Sequence, residues 1–62
     1  MSDAEILAEI DKLMNRLSSL SAVVRSHSTP PPFDALYAMN RAWRKLEAAR
    51  ELFKRFVDSA TK

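Results

Sequence analysis

The sequence predicts an all-α protein: one antiparallel helical hairpin, residues 1–62, assembling as a homodimeric four-helix bundle. Three observations carry that expectation. Glycine and cysteine are absent, the three prolines form one run at residues 30–32, and β-branched residues are few. On each side of the prolines, apolar residues recur in alternating steps of four and three, a spacing that only an α-helix gathers onto one face. Each of these lines is flanked by a second apolar line, so one hairpin leaves large apolar side chains uncovered.

The first helix is expected over about residues 3–25. Ser2, Asp3, Ala4 and Glu5 form a capping-box pattern. In it the Ser2 hydroxyl accepts from the Glu5 amide and the Glu5 carboxylate reaches back to the Ser2 amide. Asp3 and Glu5 also place negative charge at the positive end of the helix dipole. Ile6, Ile10, Leu13, Leu17, Leu20 and Val24 make the seam, widened by Leu7, Met14 and Val23. Asp11, Lys12, Asn15, Ser18 and Ser19 are expected on a wet face.

Residues 26–32 are expected to break the helix, because each proline disfavours helical backbone in the residue before it. A connection this short and stiff makes the two helices antiparallel neighbours. Phe33 and Tyr37, four apart, are expected to pack over the loop against Val23 or Val24.

The second helix is expected over about residues 33–59, fraying beyond. Its seam is Ala35, Met39, Ala42, Leu46, Ala49, Phe53, Phe56 and Ala60, flanked by Leu36, Trp43, Arg50 and Val57. Ala35, Ala42 and Ala49 recur every seven residues, which lets a neighbouring helix approach closely. Leu7, Met14, Leu36, Met39, Ala42, Trp43, Ala49, Arg50, Phe53, Phe56 and Val57 are the expected interface residues. Arg50 is the one charge on this broad face. Its stem either lies along Trp43 with the head in water or at Glu47, or it pairs with an acid across the interface.

The net charge of +2 is unevenly placed. Residues 1–28 carry three basic residues against the acidic Asp3, Glu5, Glu9 and Asp11. Residues 29–62 carry seven basic residues against Asp34, Glu47, Glu51 and Asp58. That polarity favours antiparallel pairing of the halves. Without cysteine there is neither a disulfide framework nor a thiolate metal site. Residues 1–5 lack the basic start of a signal peptide, and no apolar run approaches about 18 residues, so the expected setting is the cytoplasm, away from membranes.

No catalytic, metal or cofactor signature stands out. His27 is a lone histidine in a serine-rich loop, and a general base or ligand needs partners that the neighbouring sequence does not offer. Glu47 and Glu51 share their surroundings with Arg44, Arg50, Lys54 and Arg55, as in ordinary ion pairing along a helix. The expectation is therefore no enzyme, no cofactor and no small-molecule substrate. Arg41, Arg44, Lys45 and Arg55, with Tyr37 and Trp43 interleaved, form the one candidate strip for nucleic-acid phosphates. Glu47, Glu51 and Asp58 interrupt it.

In size and layout the chain resembles the Rop-type helical hairpins, which dimerise into four-helix bundles and bind RNA hairpins. That resemblance implies a dimer and an RNA or DNA partner, with no RNA-contacting motif carried over residue by residue. Its length and the Arg44-Lys45-Leu46-Glu47 stretch are also similar to the small hairpin co-chaperones of type III secretion, which implies a heterologous helical partner. The leading expectation is a small interaction or regulatory module that packs helix against helix with a second copy of itself. A subunit folding against another helical protein comes next, and a nucleic-acid-binding dimer third.

Overall fold

The computed structural model describes residues 1–60 as two helices packed side by side, α1 (Asp3–His27) and α2 (Phe33–Ala60). Lys62, one of the basic residues of the second half, lies outside the described residues. The predicted boundaries hold to within two residues, and the largest difference is that α1 continues through His27, which was expected in the loop.

The start of α1 is capped as expected on one side only. The Glu5 amide donates to the Ser2 hydroxyl at 3.1 Å. The Glu5 carboxylate instead accepts from that same hydroxyl at 3.2 Å. At the other end Ser26 donates to the carbonyls of Ala22 and Val23 (3.1 and 3.2 Å), and Ser28 turns out into extended backbone. The Pro32 carbonyl then accepts from the Leu36 amide at 3.0 Å and opens α2. Proline suits this point because no helical bond is asked of its missing amide.

The hairpin keeps every second position of the expected seam and exchanges most of the others for the residue that follows. The half-buried and buried positions of α1 are Leu7, Ile10, Met14, Leu17, Ser21 and Val24, with Ile6 and Asp11 beside them. Those of α2 are Leu36, Met39, Trp43, Leu46, Arg50, Phe53 and Val57. Both sets keep the alternating steps of three and four. Ile10, Leu17, Val24, Met39, Leu46 and Phe53 keep their expected places in the seam, while the expected flanking residues Leu7, Met14, Leu36, Trp43, Arg50 and Val57 take the places of its other members. One residue is about 100° of rotation, so Leu13 and Leu20 on α1 turn outward, as do Ala35, Ala42, Ala49 and Phe56 on α2.

On α2 volume explains the choice. The alternative seam on α2 alternates alanine with larger residues, whereas Leu36, Trp43 and Val57 remove far more apolar surface from water per turn. Two polar residues are accommodated in return. The Ser21 hydroxyl donates to the Leu17 carbonyl at 2.9 Å, so it enters the seam already satisfied. Arg50 finds an acid on the facing helix.

The resulting body is a rod. Its Cα extents are 52 × 17 × 11 Å and its radius of gyration is 14.8 Å, against about 11 Å for a compact chain of this length. Met14, 8% exposed, is the one buried apolar side chain among the described residues.

Candidate interaction surface

The two sides of the hairpin differ. In antiparallel helices that face each other, the residue preceding an inner position points to the same side on both. Leu13 and Leu20 of α1 therefore share a side with Ala42, Ala49 and Phe56 of α2. Leu13, Leu20 and Phe56 are 52%, 56% and 66% exposed. An open groove borders this side, lined by Glu9, Leu13, Arg16, Leu17 and Leu20, by Lys12, Asn15 and Ser19 of the wet face of α1, and by Leu46 of the facing helix. Phe56 meets Phe53 with ring centroids 6.3 Å apart, which ties the exposed ring to the inner seam.

The opposite side carries the charged link between the helices. Arg50 Nε donates to Asp11 Oδ1 at 2.6 Å and Nη2 to Oδ2 at 3.4 Å, with Glu51 at 3.8 Å. The two-pronged geometry suits a guanidinium and a carboxylate. The hydrogen bond to Asp11 and its charge hold the Arg50 pKa above the ordinary arginine value, and Glu51 adds to this. The sequence reading offered Arg50 either water and Glu47 or an acid across an interface. The structure gives it an acid within the same chain, and Asp11 accordingly leaves the wet face where it was expected.

Of the eleven expected interface residues, eight face the other helix of their own chain: Leu7, Met14, Leu36, Met39, Trp43, Arg50, Phe53 and Val57. Ala42, Ala49 and Phe56 are exposed. The alanines were expected where a helix comes close, but α1 does not cover them. The structure adds Leu13, Leu20 and Leu52 to the exposed apolar set.

Near the turn, Pro31, Phe33, Tyr37 and Trp43 border a second groove with Ser18 and Arg25. Phe33 and Tyr37 were expected to close over the loop, yet both remain mostly exposed, as does Val23. The Arg41 guanidinium lies 5.8 Å from the centre of the Tyr37 ring instead, a cation–π contact.

Arg41, Arg44, Lys45 and Arg55 are all exposed along α2. Of the two aromatics interleaved with them, Trp43 is half-buried in the seam and Tyr37 is mostly exposed. Among the described residues no group of three or more His, Cys, Asp or Glu side chains is placed to hold a metal ion. No helix is long and apolar enough to cross a membrane.

Fold and surface together define a helical hairpin with one apolar and one largely polar side. The chain matches no protein-family model, and no curated protein or solved structure shows significant similarity to it.

Proposed function

We propose that this chain is a small, non-enzymatic interaction module that works by packing its helices against a second copy of itself. The observation that carries this reading is the imbalance between buried and exposed apolar surface. One side chain is buried while Leu13, Leu20, Leu52 and Phe56 are each more than half exposed. The accessible surface is 5098 Å², against about 4,100 Å² for a typical folded monomer of this mass. That surplus of roughly 1,000 Å² exceeds the ~800 Å² each partner contributes to a standard interface.

Solution mass by light scattering, with circular dichroism over a dilution series, tests it. The expected result is a dimer whose helix content falls on dilution, because assembly and folding are then linked by mass action. A fully helical monomer at every concentration would overturn the reading. A poorly helical monomer would overturn self-association and direct attention to a heterologous helical partner.

A further inference from the structure

We infer that the two copies meet through the Leu13–Leu20 side with their turns at opposite ends of the bundle. This rests on the self-association reading and specifies its geometry.

Two hairpins related by a two-fold axis can lie face to face in two ways, both with antiparallel neighbours. If the axis runs along the helices, the turns share an end and α1 lies on the partner's α2. If the axis runs across them, the turns separate and α1 lies on the partner's α1. The apolar residues tolerate either arrangement, because leucines find alanines or leucines in both.

The charges choose. Glu9 and Arg16 both line the open groove, on either side of Leu13. With α1 antiparallel to its own copy about Leu13, Leu20 falls opposite Ile6 and Arg16 opposite Glu9, within about one residue of rise. The two-fold makes that ion pair twice. Asp11 and Arg50 fix the level of α2 beside α1. With that offset, Leu52 of one copy comes beside Lys45 and Ala42 of the other, and Phe56 comes between the small Ala38 and Ala42. The same offset shows what the shared-end arrangement does: it sets Arg16 beside Lys45 of the second copy, again twice, with Arg44 adjacent. Like charges at an interface are disfavoured and opposite ones fix register. Glu9 pairs with Lys12 at 3.4 Å in an exposed contact, so little is lost in exchanging it.

The test joins a distance with a charge swap. The chain has no cysteine, so Thr29→Cys gives one spin label per copy, in the turn. Turns at opposite ends put the two labels about 45–50 Å apart, from the helical rise between residue 29 and the axis. Turns at one end put them within about 20 Å, from the spacing of packed helices. Arg16→Glu is expected to weaken the dimer about tenfold, since it replaces two attractions by two repulsions. Glu9→Arg with Arg16→Glu is expected to restore it. A dimer with the short distance, tightened by Arg16→Glu, overturns this arrangement and leaves self-association standing. An unlabelled wild-type chain that stays monomeric at every concentration overturns both.

Discussion

At the scale of the residue, Met14 and Arg50 hold the hairpin for different reasons. Met14 sits midway along α1, where the facing helix covers it most completely. Met14→Ala removes buried methylenes and leaves a partly collapsible gap, a loss of about 2 kcal/mol. A lower thermal midpoint than wild type, measured at one protein concentration, would check it. Arg50 costs the seam apolar area and returns a directional contact with Asp11. Replacing Arg50 by Met is therefore expected to leave stability at a fixed protein concentration nearly unchanged, since a well-packed apolar side chain often substitutes for an ion pair without loss. Asp11→Ala is expected to be the more damaging change, because it leaves the half-buried guanidinium with only the longer contact to Glu51 at 3.8 Å. Denaturation midpoints of the two variants decide the order. Because the Arg50 pKa is raised, the arginine keeps its charge until strongly alkaline solution, and only there is its contribution lost.

At the scale of the element, the helices and the turn were legible in the sequence while their rotation was not. A repeat of three and four residues, a capping serine and three consecutive prolines determine where α1 and α2 begin and end, and these signals are local. Which of two adjacent apolar lines turns inward depends on what each meets across the seam. Ser21 and Arg50 made the true seam look interrupted. Their polarity is harmless only because Leu17 supplies a carbonyl and Asp11 a carboxylate, and the second partner lies 39 residues away in sequence. The alanines followed from the same ambiguity: a seven-residue repeat of small side chains says that something comes near, not which helix. Ala42→Leu with Ala49→Leu separates the cases. Leucine is a good helix former, so any loss of helix in this variant reports lost assembly and not lost propensity. The dimer is expected to weaken, since added bulk at a close contact disrupts packing. Sedimentation and circular dichroism at matched concentrations are expected to show association and helix content falling together, at concentrations where the wild-type chain is still paired.

At the scale of the whole molecule, the rod shape sets what pairing does to its dimensions. Two hairpins lying side by side with centres about 10 Å apart would raise the radius of gyration from 14.8 Å to only about 16 Å. End-to-end pairing of rods this long would give about 30 Å. Small-angle scattering of the dimer separates these outcomes, and the smaller value is expected. The exposed face that suggests pairing was only half visible beforehand. Its need for cover followed from the excess of apolar residues, but Leu13 and Leu20 emerged as its members only once α1 was seen to be turned.

A fold that closes around a single methionine has a further consequence for the chain in a cell. Where folding waits on a second copy, the folded fraction depends on how many copies are present. Newly made chains at low abundance spend their time open and within reach of proteases, while chains above a threshold shelter one another and persist. The sparse interior of the hairpin thus makes the lifetime of the protein a function of its own copy number.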